Sequence, residues 1–132
     1  MLRKLAGALT AIFLLALAVP ASATGPRVDL SIQWNHTNSP NIVYSYTVTC
    51  DPDGGTGETD WYMDIWIACD DLRQAGGDLD QMNGLLGDCA PTANGTLRTR
   101  ITGTSYGQPV NRDERWPDWN CLRRAYGYLF IF

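Results

Sequence analysis

The chain is short of the groups that carry acid–base and metal chemistry. His36 is its one histidine, no lysine follows Lys4, and no C-x-x-C pattern occurs. Hydrolytic triads need a positioned general base. His36 lies in the polar stretch Asn35 to Asn41 and reads as a surface residue. A structural zinc site needs four Cys or His ligands in close-spaced pairs, and none are present. Asp51, Asp53, Asp60 and Asp64 are available as carboxylates, but no spacing singles out an acid and a base. Asp51-Pro52-Asp53-Gly54-Gly55 has the look of a calcium-loop start. Its glycine comes too early, however, and no acidic residue closes a twelve-residue pattern, so it reads as a turn. The expectation is a protein that is not an enzyme and that uses neither metal nor cofactor.

Long apolar runs are also scarce. Arg3 and Lys4 precede an apolar stretch from Leu5 to Val19, which Pro20 and Ala21-Ser22-Ala23 close. This is the pattern of a secretory signal peptide with an A-x-A cleavage site. The stretch is shorter than the roughly 20 residues of a membrane span, and no second one follows. Residues 1–23 are therefore expected to be removed, leaving residues 24–132 as one secreted, extracellular domain of 109 residues (132 less 23). Loss of Arg3 and Lys4 takes the ten basic residues to eight against fourteen carboxylates, a net charge of −6. That balance argues against nucleic acid and anionic membranes as partners.

Against these absences stand four cysteines, Cys50, Cys69, Cys89 and Cys121. An even number in a short exported chain reads as a disulfide framework, because an oxidising compartment lets the bonds persist. Four cysteines allow three connectivities, and spacing alone does not choose among them.

The hydrophobic pattern is that of strands, a helix and strands again. Val28 to Trp34 alternates apolar and polar residues, and Ile42 to Cys50 is rich in Val, Tyr and Thr. Between Thr59 and Ala75 the period changes, with Ile65, Ala68, Cys69 and Leu72 at helical spacing and Gly76-Gly77 as the stop. Leu79 to Leu86 suits a short second helix. Alternation returns with Leu97, Thr99 and Ile101 on one face, Gly103 to Gly107 reads as a hairpin connection, and the aromatic tail Tyr126 to Phe132 as a buried final strand. The expected fold class is α+β, a mainly antiparallel sheet covered on one face by helix.

Val48-Thr49-Cys50, Ala68-Cys69-Asp70-Asp71-Leu72 with Ala75-Gly76-Gly77-Asp78-Leu79, Cys89 near Pro91, Gly103, Gly107, Cys121 and Phe130-Ile131-Phe132 together resemble the Streptomyces subtilisin inhibitor family. The resemblance covers nearly all of residues 24–132. It implies an antiparallel sheet of about five strands with one longer and one short helix, a homodimer, and disulfides Cys50–Cys69 and Cys89–Cys121. It also implies inhibition of extracellular, subtilisin-like serine endopeptidases by a substrate-like exposed loop just after Cys89.

In that family the cysteine is followed directly by proline and then by the specificity residue, P1. Here Cys89-Ala90-Pro91-Thr92-Ala93-Asn94-Gly95 is one residue longer. Placing the extra residue at Ala90 gives a reactive loop of Cys89, Ala90, Pro91, Thr92, Ala93 and Asn94, with Thr92 as P1 and Thr92–Ala93 as the reactive bond. The other register makes Pro91 P1 and is chemically poorer, because proline has no N–H for a protease cleft. Asn94-Gly95 favours a tight turn that would bend the far side of the loop away from a cleft. Pro117 and Trp119 also depart from the family pattern and bear on the support beneath the loop.

A second reading comes from five tryptophans, Trp34, Trp61, Trp66, Trp116 and Trp119. Aromatic residues serve binding surfaces and cores alike. Trp61 and Trp66 lie off the Ile65, Cys69 and Leu72 stripe, so a non-inhibitory secreted binding module on the same scaffold is the alternative.

Overall fold

The computed structural model describes residues 27–51, 54–56, 65–86 and 88–130. Strand β1 (Val28–His36) lies between β2 (Tyr44–Asp51) and β4 (Leu97–Ser105); β5 (Gln108–Trp116) flanks β4 and a three-residue β3 (Gly54–Thr56) flanks β2. Every pairing is antiparallel. The class is α+β, with four long strands and one short edge segment among the described residues where about five strands were expected. Helices α1 (Ile65–Gln74), α2 (Leu79–Leu86) and α3 (Trp119–Tyr126) complete the fold.

Alternation sets which face is covered. Val28, Leu30 and Ile32 of β1, Val48 of β2 and Ile101 of β4 are fully buried, while Asp29, Ser31, Ser45, Thr47, Thr102 and Thr104 between them are exposed. The helices pack on the first set. In α1 the helical stripe is found: Ala68 and Leu72 are buried, Ile65 and Cys69 half-buried. The Cys50–Cys69 disulfide, with Cα atoms 5.6 Å apart, ties α1 to β2. The part of the helix expected over residues 59–64, and Trp61 within it, lies outside the described residues, as do residues 1–23, Pro52, Asp53 and residues 131–132.

Among the described residues there are three helices rather than two, and the correction falls toward the C-terminal end. Tyr126 to Phe130 is not a final strand; Tyr126 ends α3 and Gly127–Phe130 is a 3-10 helical turn. The Asp118 side chain caps α3 by accepting from the Cys121 N–H at 2.8 Å. Cys121, Leu122, Ala125 and Tyr126 then share its buried face, and Arg123 and Arg124 occupy its last turn, where cations complement the helix dipole. The aromatic tail finds its burial as a helix end, and Tyr46 of β2 donates its hydroxyl to the Leu129 carbonyl.

The β4–β5 connection is shorter than Gly103 to Gly107. Only Tyr106 and Gly107 turn, with φ of 51° and 80°, as a two-residue turn matched to strand twist requires. Gly103 belongs to β4, where its φ of 132° and the Asp29 carbonyl leave no room for a side chain.

Candidate functional site

Residues 88–96 connect α2 to β4 across one end of the sheet. Cys89 is half-buried, and Ala90, Pro91, Thr92, Ala93 and Asn94 are all exposed. All six residues assigned to the loop are thus brought together in one segment. Its first end is held covalently, since Cys89 bonds to Cys121 on α3 with Cα atoms 5.4 Å apart. This is the second disulfide, and both pairings are those that the resemblance implies.

The far end is held by backbone contacts. Gly95 is buried, and a Cβ there would collide with the backbone of Trp116. Thr96 donates its hydroxyl to the Pro117 carbonyl at 2.8 Å, and its own carbonyl accepts from the Thr37 N–H at 2.9 Å. Pro117, one of the departures noted above, is therefore part of the support. Trp116 beneath Gly95 is fixed in turn by its indole N–H, which donates to Thr99 at 3.1 Å. Trp119 is half-buried and stands edge-on to Trp34 with ring centroids 4.7 Å apart.

Between these anchors the loop lies against β5. In a two-residue hairpin the flanking pair Ser105 and Gln108 exchanges both hydrogen bonds, so the main-chain groups of Pro109, Asn111, Asp113 and Arg115 face away from β4. Thr92 uses one of them, donating its N–H to the Arg115 carbonyl at 2.8 Å. The Thr92 carbonyl accepts from the Gly95 N–H at 3.1 Å, closing the turn expected from Asn94-Gly95. The Arg115 guanidinium donates to the Ala93 carbonyl at 3.3 Å. Both main-chain groups of Thr92 are thus engaged within the protein. Sequence reasoning missed Arg115, because nothing local in an alternating strand marks which carbonyl meets a segment 23 positions away.

A cavity of about 200 Å³ lies between Cys89–Pro91 and the ends of α2, α3 and β5. Its polar side is an ion-pair network: Arg112 donates to Asp80 at 2.7 Å and lies 3.5 Å from Glu114, to which the Tyr126 hydroxyl donates at 2.5 Å. The Arg112 hydrogen bond holds the Asp80 carboxyl below its ordinary range. Burial, reinforced by Glu114, pushes the Tyr126 phenol up, so it stays a neutral donor.

The tryptophans of the second reading are scattered. Trp34 and Trp116 are buried, whereas Trp66 on α1 is 64% exposed and is the one open indole among the described residues. His36 is exposed and stands edge-on to Trp34. Among the described residues, no helix is long and apolar enough to cross a membrane. Comparison of the chain with protein-family models and with curated proteins found no match.

Proposed function

We propose that this protein is a secreted inhibitor of extracellular serine endopeptidases, built like members of the Streptomyces subtilisin inhibitor family and acting through Cys89 to Asn94. The observation that carries the proposal is an exposed segment, Ala90–Asn94, fixed at one end by Cys89–Cys121 and at the other by Gly95 seated on Trp116. A segment so held has little chain entropy left to lose on entering a cleft. In an extended chain alternate N–H groups face the same way. A cleft that bonds the Thr92 N–H therefore has no use for one at Pro91, and proline there costs nothing.

Binding exchanges partners. The Thr92 N–H passes from Arg115 to the cleft, and the Thr92 carbonyl passes from the Gly95 N–H to the protease's oxyanion donors. Attack by the catalytic serine forms an ester between its oxygen and the Thr92 carbonyl carbon. The bond to Ala93 breaks, and the serine proton passes through the protease's base to the Ala93 amine. That amine stays close, because Ala93 and Gly95 remain seated on β5 while Thr92 stays tied through Cys89 to Cys121. Effective concentrations of roughly 10⁵ M or more favour re-forming the peptide over hydrolysis.

The test is titration of the processed protein, disulfides intact, against subtilisin and other extracellular serine proteases. Saturable inhibition with any slow nick at Thr92–Ala93 is the expected result. The homodimer belongs to the same proposal. The open sheet face places Ser31 beside Thr47 and Thr102, offering hydroxyls where a tight dimer would use apolar groups. Association is therefore expected to be weak and lost on dilution, as sedimentation reads.

One observation favours the second reading: both main-chain groups of Thr92 are already engaged. If the folded protein inhibits no protease, a binding module using exposed apolar groups such as Trp66 becomes the better account.

A further inference from the structure

The exposed segment carries side chains of one size class. Ala90, Pro91, Thr92 and Ala93 succeed one another with nothing larger than a proline ring or a branched three-atom side chain, and none is charged. The backbone beneath lies low, since the Thr92 nitrogen is 2.8 Å from the Arg115 carbonyl of β5. The Arg115 guanidinium is turned onto the Ala93 carbonyl, so the cation beside the apex is directed inward.

We infer that the protease this loop fits has a shallow specificity pocket for small, β-branched residues, with an apolar shelf for a preceding proline. The inference rests on the inhibitory reading and names its partner. Thr92 brings one methyl group and one hydroxyl to the pocket. In a deep apolar pocket that methyl leaves most of the lining without contact atoms, and a void forfeits those contacts outright. One missing methylene in such a pocket is worth roughly 10- to 200-fold in discrimination, and Thr92 falls short of a leucine by more than that. The hydroxyl adds to the loss, because a buried hydroxyl without a partner is unfavourable. A pocket with an acidic floor finds no cation at the apex. A shallow pocket is filled by the methyl and leaves the hydroxyl at its polar mouth, and small S1 sites of this kind exist in elastase-type proteases. Pro91 suits such a partner as well, since its fixed φ removes one backbone torsion from the rearrangement that presents Thr92.

The test uses the processed protein and its Thr92→Val and Thr92→Leu variants, each with both disulfides intact and its fold checked by circular dichroism. Inhibition constants are measured against an elastase-type protease, subtilisin and trypsin. Wild type and Thr92→Val should inhibit the elastase-type enzyme at least about 10-fold more tightly than subtilisin. Thr92→Leu should reverse that order. Wild-type inhibition that is tightest for subtilisin or trypsin overturns the shallow-pocket inference and leaves the inhibitory reading standing. Inhibition indifferent to both substitutions overturns Thr92 as the residue in the pocket. If no variant inhibits any of the three enzymes while all remain folded, the inhibitory reading itself fails.

Discussion

The Thr92 N–H donates to the Arg115 carbonyl at 2.8 Å, joining the apex of the exposed loop to the outer edge of β5. On the proposed inhibitory reading, the loop gives up this bond, and the one from the Gly95 N–H to the Thr92 carbonyl, as a protease takes it. Each such bond contributes about 0.5–1.5 kcal/mol net. The closed loop is therefore favoured but accessible.

The first expectation concerns that bond directly. The Thr92 amide should exchange with solvent at least about 10-fold more slowly than that of Asn94, as proton NMR can follow, because roughly 1.4 kcal/mol of closure is a factor of 10. Equal rates at the two amides would remove the latch. Arg115→Ala removes only the guanidinium contact with Ala93, so inhibition should set in up to several-fold faster. Deletion of Ala90 should free Thr92 and abolish its protection.

The two disulfides have separable duties. Each closes a loop, with sequence separations of 19 and 32, that stabilises the fold by about 3–4 kcal/mol on the chain-entropy estimate. Replacing either pair by alanine should lower the denaturant midpoint comparably. Only loss of Cys89–Cys121 should also turn the loop into an ordinary substrate, cleaved without religation. Cleavage that is just as fast in the Cys50/Cys69 double mutant would contradict this division.

Gly95→Ala should cost about 1–3 kcal/mol, the usual penalty of forcing an extra methyl into a packed site, because its Cβ meets the Trp116 backbone. Asn94→Ala, one position away and exposed, should cost less than about 0.5 kcal/mol. Urea midpoints of the pair decide it, and equal values would mean that Gly95 is not seated as described.

Asp71 on α1 supplies a prediction with a sign in pH. Burial pushes its carboxyl above the ordinary range, opposed by the Tyr128 N–H and assisted by Asp70, and one of its oxygens is buried without a hydrogen-bond partner. The native state therefore holds this proton more tightly than the unfolded chain does. Its contribution to stability is present below the unfolded carboxylate value of about 3.9 and is lost as pH rises through the raised native value. Asp71→Asn should be more stable than wild type at pH 7, and the difference should vanish near pH 3. Asp80 works in the opposite sense. Its depressed carboxyl adds stability above the ordinary carboxylate value and loses it as pH falls through the native one, with a small effect because the side chain is largely exposed. Melting curves at the two pH values would expose a wrong sign.

Much of the fold could be read locally. The alternation from Val28 to Trp34 and from Leu97 to Ile101, and the helical stripe Ala68, Cys69 and Leu72, report which face each element buries. They do so because burial repeats with the period of the backbone itself. Helix α3 carries the same kind of signal, with Asp118 at a cap position and Cys121, Leu122, Ala125 and Tyr126 at helical spacing, but the reading of the sequence assigned no helix there. The aromatic density of the tail suggested a strand instead, and density carries no period.

Composition and period along the chain set the α+β class, the inward faces of β1, β4 and α1, and the run of small residues from Ala90 to Ala93, because they are properties of neighbours in sequence. The tertiary structure decided that Thr92 meets Arg115, that Gly95 rests on Trp116 and that Arg112 reaches Asp80 from 32 positions away. Those contacts join separate elements whose mutual placement is set by how the helices dock on the sheet, and no single stretch of chain carries that information.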